Sequence, residues 1–237
     1  MNFLDLLYPA KCVMCDTILN GQERGVCSAC RKQLPLVEEP FCKHCGKPVG
    51  DVREGLCLDC RSRDTELEQG RALWVYTDKM RKAIANYKYG GCLEDGDFYA
   101  DELYQRAGFW IRKKKIQCIV PVPIHWRKRW FRGFNQSTDL AGKLGGKLSL
   151  PVLDHVLVRK RATQPQKTLD NRQRASNLRG VFGVDQEKLG ELNRFQRILL
   201  LDDIYTTGAT LEECAGTLKR HGDFQVYSLC LCIGKDY

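Results

Sequence analysis

Between Arg197 and Leu211 the chain reads Arg-Ile-Leu-Leu-Leu-Asp-Asp-Ile-Tyr-Thr-Thr-Gly-Ala-Thr-Leu, and few folds accommodate that order. Ile198 to Leu201 has the length and composition of a strand buried on both faces. The apolar run ends abruptly on Asp202 and Asp203, and a turn of small and hydroxyl residues follows, Thr206, Thr207, Gly208, Ala209 and Thr210. A helical pattern comes next, with Leu211, Ala215 and Leu218 on one face and Gly222 as the stop. Strand, acidic pair, hydroxyl-rich turn and helix N-terminus together make a phosphate site. Backbone N–H groups and the Thr207 and Thr210 hydroxyls face an anion there, and the helix end carries partial positive charge.

Two adjacent carboxylates would repel a phosphate, so they suit sugar hydroxyls, or a place near a metal that also touches the ligand. A ligand with a phosphate at one end, vicinal hydroxyls in the middle and a magnesium-bound diphosphate fits, and that describes phosphoribosyl diphosphate (PRPP). The run Leu200 to Thr210 resembles the PRPP motif of type I phosphoribosyltransferases. The bland alternative is a solvated strand-to-helix loop in some other α/β protein.

The front of the chain carries four Cys-x-x-Cys pairs: Cys12/Cys15, Cys27/Cys30, Cys42/Cys45 and Cys57/Cys60. Cys12 to Cys42 and Cys27 to Cys57 are both offset by 30, so the pattern is an internal repeat. Two residues between ligands let one tight turn aim both thiolates at one tetrahedral ion. Two structural Zn2+ ions are expected in two zinc ribbons, the first on Cys12, Cys15, Cys27 and Cys30. The second takes Cys42, Cys45, Cys57 and Cys60; interleaved pairing is the alternative. Segments this short bury too little apolar surface to fold without the metal. A redox role needs a thioredoxin-like βαβ setting, which the sequence does not offer. His44 reads as a knuckle residue, because four thiolates already close its site.

The chain of 237 residues with 13 cysteines has a formal charge of +9; two zinc ions held by eight thiolates lower it to about +5. This moderate basicity favours anionic partners. Met1 to Tyr8 carries Asp5, has no basic start and does not read as a secretory signal. No apolar run reaches the ~20 residues that span a bilayer. The expected compartment is the cytoplasm, with the thiols reduced or bound to metal.

A polar stretch from Arg61 to Gly70 marks a boundary, giving a double zinc ribbon over residues 1–65 and a second domain over 66–237. Arg71–Thr77 reads as a strand. Lys79–Tyr89 reads as a helix with Met80, Ile84 and Tyr87 on one face, and Asp97–Lys115 as a longer one with Leu103, Ala107 and Trp110 apolar. An apolar strand from Ile116 then meets prolines and the basic cluster Arg127, Lys128, Arg129 and Arg132. In a parallel sheet this loop lies at the same edge as the acidic turn. Two anion-friendly loops then face one cleft, and His125, Arg127, Lys128 and Arg129 are candidates for the diphosphate arm. Trp126 and Trp130 among these cations also suit stacking on single-stranded nucleic acid; alternatively they pack on the domain.

The Cys-x-x-Cys front end, Val120-Pro-Val-Pro-Ile-His125, Arg132-Gly-Phe-Asn-Gln-Ser137 and the acidic turn stand in the order found in ComF family proteins. These are double-zinc-ribbon, phosphoribosyltransferase-like proteins associated with natural competence. The likeness covers nearly the whole chain, and four motifs in order are more specific than any one. It implies a type I phosphoribosyltransferase-like fold, an open, mostly parallel sheet flanked by helices. It also implies PRPP binding with Mg2+, Asp202 and Asp203 on the ribose hydroxyls and Thr206 to Thr210 on the 5′-phosphate.

Phe134–Leu148 reads as a helix and Val152–Val158 as a strand. Arg159–Arg179 follows, with seven Lys or Arg and one Asp, too polar for core. Type I phosphoribosyltransferases carry a flexible lid near this point. Thr163, Gln164, Gln166, Arg172 and Asn177 match residues typical of ComF proteins there; an exposed linker is the alternative. Gln225–Ile233 reads as a last strand, with Cys230 and Cys232, like Cys118, as small buried hydrophobes. Some purine-specific relatives place an aspartate where Thr206 stands, so the acceptor and the catalytic residue stay open. Two functions are expected: a phosphoribosyltransferase of unknown acceptor serving competence and DNA uptake, or a non-catalytic module that senses PRPP or handles single-stranded DNA. Competence-machinery proteins are further expected partners, and many relatives with this fold are dimers, which makes a homodimer one expected state.

Overall fold

The structure is a computed structural model that describes residues 9–51, 53, 55–62, 64–90, 92–161, 178 and 180–234. In chain order its named elements are α1 (Ser28–Arg31), α2 (Leu58–Arg61), β1 (Gln69–Val75), α3 (Asp78–Tyr89), α4 (Asp95–Lys113) and β2 (Cys118–Pro121). Then come α5 (Trp126–Arg132), α6 (Gln136–Leu148), β3 (Leu157–Arg159), β4 (Phe182–Val184), α7 (Leu189–Leu192), β5 (Arg197–Tyr205), α8 (Ala209–Lys219) and β6 (Gln225–Ile233).

Four strands form one sheet in the order β1-β6-β5-β2, every neighbouring pair parallel. The apolar run of β5 lies inside it: Ile198–Leu201 pairs with Cys118–Pro121 on one side and Val226–Leu229 on the other. Buried on both faces, β5 splits its side chains between two cores. Leu199 and Leu201 join Tyr87, Tyr99, Leu103 and Leu140 of α3, α4 and α6. Ile198 and Leu200 join Leu211, Cys214, Ala215 and Leu218 of α8. Helices therefore flank the sheet on both faces, as the continuous apolar strand required. Cys118, Cys230 and Cys232 are fully buried among these apolar groups.

In the front segment the repeat is visible residue by residue. The bridge Lys11↔Ile18 recurs as Phe41↔Pro48, and α1 recurs as α2. Between the two halves, Val37 N–H donates to Leu73 C=O and Val75 N–H to Pro35 C=O, while Leu36 bridges Trp74 antiparallel. This connector covers the open edge of β1, an edge that would otherwise offer a ladder to other chains.

Three local expectations need correction. β5 does not stop before the acidic pair but runs to Tyr205, because β6 continues beside it and supplies partners: Asp202↔Cys230, Ile204↔Cys232 and Tyr205↔Ile233. The basic stretch after β2 is no loop. It folds as α5, capped by His125, whose Nδ1 accepts from Arg127 N–H at 3.3 Å, and closed by Gly133 at φ 81°. Trp126 to Arg132 has no glycine or proline, so nothing interrupts a turn of helix there. Finally, Val152–Val158 is not one strand. Val152 makes an isolated parallel bridge to Ile119, and Leu157–Arg159 turns away to pair antiparallel with Phe182–Val184.

Candidate functional site

The eight cysteines fall into two sets, Cys12/Cys15/Cys27/Cys30 and Cys42/Cys45/Cys57/Cys60, with the four sulfurs of each set within 4.8 Å of one another. Tetrahedral Zn–S bonds of about 2.3 Å put sulfurs roughly 3.8 Å apart. Cys15 Sγ and Cys27 Sγ are 3.8 Å apart, and Cys45 Sγ and Cys57 Sγ 3.6 Å, so both sets fit the ion. The pairing is sequential. Each first knuckle turns back on a left-handed residue, Asp16 (φ 60°) and Gly46 (φ 80°). Backbone donors hold the sulfurs: Cys27 N–H to Cys12 Sγ at 3.3 Å and Cys30 N–H to Cys27 Sγ at 3.4 Å. Four thiolates complete each site, and His44 stands outside, its Nε2 3.8 Å from Glu212 Oε1 on α8. The two sets differ in cover: all four sulfur residues of the second are buried, whereas Cys15 of the first is exposed.

At the C-terminal edge of the sheet, β5 delivers Asp202 and Asp203 beside the start of α6. Asp202 Oδ1 accepts from Ser137 Oγ at 3.1 Å and from Asp203 N–H at 2.9 Å. Asp203 Oδ2 accepts from Gln136 Nε2 at 2.9 Å and is 2.6 Å from Lys88 Nζ. Burial first, and then the neighbouring Asp203 carboxylate, push the Asp202 carboxyl up to about 7. Lys88 has the opposite balance: burial pulls its ammonium down, but Asp203 and Asp202 outweigh that and hold it above its usual range.

The turn after β5 leads into α8 through Gly208 at φ 78°, where a Cβ would overlap the Tyr205 phenol. Only glycine makes that turn without strain. Thr206 is exposed, Thr207 and Gly208 are buried, and Ala209 and Thr210 are half-buried at the first turn of α8. α8 thus aims its N-terminal amides at the same edge as the carboxylates.

β2 lies next to β5 and parallel to it, so α5 emerges beside the acidic turn; Val122 N–H still donates to Leu201 C=O at 2.9 Å. Asn135 caps α6 by accepting from Ser137 N–H, and its Nδ2 donates to Val122 C=O at 3.1 Å, which ties the end of β2 to α6. His125 is buried behind the helix; burial, and then Arg159, Arg127 and Lys128, hold it below its usual range. The outer face is unusual: Trp126 is 64% exposed, Trp130 86% and Phe131 81%, among Arg127, Lys128 and Arg129. Among the described residues the tryptophans are left mostly uncovered, Trp126 meeting the His125 ring at 5.5 Å. Thr163, Gln164, Gln166, Arg172 and Asn177 of the expected lid lie outside the described residues.

A family model described as a double zinc ribbon domain matches residues 3–61. Over the whole length the chain is similar to Competence protein F of Haemophilus influenzae, 27% identical over 241 residues, which is 97% of this chain and 98% of that one. It is similar to Competence protein ComFC of Bacillus subtilis, 27% identical over 227 residues and 89% of each chain. DNA utilization protein YhgH of Escherichia coli K12 is 37% identical over 114 residues, 48% of each. The chain is thus similar, over nearly its whole length, to competence proteins, and its front end is a double zinc ribbon.

Around the acidic pair, three residues of this chain escaped assignment from sequence. Lys88 sits in a helix far from the motif, and nothing local marks a lysine that will be enclosed. Gln136 and Ser137 stood in a motif that named the family without naming their partners. Their signal is positional, at the first turn of a helix whose cap is tied to the neighbouring strand.

Proposed function

We propose that this chain is a ComF-type protein that binds PRPP with Mg2+ at the C-terminal edge of its sheet and transfers the phosphoribosyl group to an acceptor, in the service of natural competence and DNA uptake. The observation that carries the reading is the meeting of three groups. Asp202 and Asp203 stand beside the Thr206–Thr210 turn and the α8 N-terminus, and cationic α5 rises next to them on β2. The carboxylates accept the ribose hydroxyls, and the turn holds the 5′-phosphate. His125, Arg127, Lys128 and Arg129 serve the diphosphate arm, whose Mg2+ offsets charge on the leaving group. Thr163, Gln164, Gln166, Arg172 and Asn177 act as the lid, between Arg159, which is held in β3, and the buried Leu178. The ribbon over 1–65 and the phosphoribosyl unit over 66–237 are the two domains, and the cytoplasm is the compartment. The names of the relatives support the competence role. Calorimetric titration of PRPP·Mg2+ into the zinc-loaded chain, and into D202N/D203N, tests it. Binding is expected in the first and not in the second, and diphosphate release then identifies the acceptor.

A second reading rests on α5 alone. Three exposed aromatic rings among cations offer stacking and phosphate contacts to single-stranded DNA, without any transfer chemistry. On this reading affinity for an oligonucleotide falls steeply with salt, and replacing Arg127, Lys128 and Arg129 by Gln flattens that slope by about 2. Binding indifferent to salt would exclude it.

A further inference from the structure

Lys88 extends from the last turn of α3 into the cleft with its side chain 17% exposed, against an Asp203 carboxylate that is 7% exposed. Its backbone is locked on both sides. Tyr87 Oη donates to Asp139 Oδ2 at 2.6 Å and lies 3.3 Å from Gln136 C=O, which pins α3 to α6. Tyr89 Oη accepts from Arg132 Nη2 at 2.6 Å, and Arg132 Nη1 donates to Gln136 Oε1 at 3.1 Å. That second bond decides the orientation of the Gln136 amide: its oxygen is engaged by Arg132, so its nitrogen is the atom that points at Asp203. Among the described residues, the contacts on Asp203 fall on Oδ2 and those on Asp202 on Oδ1.

We propose that Lys88, with Gln136, is a positioning residue: the two donors grip Asp203 by one oxygen and present the other to the hydroxyls of the sugar. The inference rests on the phosphoribosyl reading of the cleft. Two neighbouring carboxylates repel each other, and either would swing or take a proton without a cation at hand. Lys88 supplies that cation at Oδ2, the oxygen that Gln136 also holds. A carboxylate held at one oxygen by two donors has lost its rotational freedom before binding, so the ligand does not have to order it.

The test uses the full zinc-loaded chain. PRPP·Mg2+ is titrated into wild type, K88M and K88R, and thermal midpoints are taken for wild type, K88M, D203N and K88M/D203N. K88M is expected to bind about tenfold more weakly and K88R to recover most of the loss. The two midpoint losses are expected to be non-additive, the double variant resembling D203N alone. Q136M, which removes the other donor on Oδ2, is the second variant and is expected to weaken binding in the same direction. Unchanged affinity in folded K88M and Q136M overturns the proposal, and so do additive midpoint losses. If wild type binds no PRPP, the phosphoribosyl reading falls by itself; non-additive midpoints then still support the grip on Asp203.

Discussion

Asp202 ties stability to pH in a direction opposite to that of an ordinary salt-bridged carboxylate. Its carboxyl is pushed up to about 7, so between the usual carboxylate range and that value the native state holds a proton that the unfolded chain has lost. Stability therefore falls as pH rises through this window and levels off above it. D202N removes this charge from the half-buried site. Its thermal midpoint is expected to exceed that of wild type at about pH 8 and to vary less with pH between about 5 and 8, while PRPP binding is lost. A scan in which wild type and D202N run parallel over that range would contradict this account. Wild-type affinity for PRPP should also fall as pH drops below about 7, because a protonated Asp202 is a poorer acceptor. Gly208 carries the other residue-scale prediction. G208A places a Cβ at positive φ against the Tyr205 ring, at a cost of about 1–3 kcal/mol, read as a lowered denaturation midpoint.

At the scale of elements, the two ribbons share one design and differ in surroundings. The second knuckle set is buried under the body: Gly70 N–H donates to His44 C=O, and Gln69 Nε2 to Lys43 C=O at 2.7 Å. The first set leaves Cys15 open to solvent. A chelator should therefore take zinc in two steps of about one equivalent each, the first ribbon emptying first. C15S should remove the fast step and leave the slow one, as followed by a colorimetric zinc indicator; a single phase of two equivalents would mean that the ribbons do not differ in access. The same contrast of surroundings explains α5. Its helix forms from local propensity and a His125 cap, but its outer face finds little cover among the described residues, so its aromatics remain exposed there.

For the molecule as a whole, the ribbons act as part of the body. The connector Pro35–Val37 closes the β1 edge, and Arg31 of α1 reaches Glu102 Oε1 at 3.0 Å, where Arg106 holds the other oxygen at 2.8 Å. Glu212 on α8 accepts from Glu66 N–H at 2.7 Å, fastening the segment that joins the ribbons to β1. Residues 66–237 expressed alone would carry an open β1 edge, an uncovered Trp74 and a buried Glu102 with one partner fewer. That fragment is expected to aggregate where the full chain stays monodisperse in light scattering. A soluble, PRPP-binding fragment would show that the ribbons are dispensable for the fold.

The zinc ribbons, the parallel sheet and the acidic turn were legible in the residues because each rests on local pattern: ligand spacing, a doubly buried apolar run, a turn that needs glycine. The same holds for the buried faces of α3, α4 and α8, where Met80, Leu103 and Leu218 recur at helical spacing. Where β5 ends was not legible, since strand length depends on how far β6 runs beside it. Nor was the exposure of Trp126, Trp130 and Phe131, because an apolar ring looks the same in sequence whether or not a neighbour covers it. Lys88 is the clearest case. Its partners Asp203 and Gln136 lie 115 and 48 positions further along, and only the packing of α3 against α6 brings an ordinary surface residue type into contact with the carboxylate that the motif had already marked.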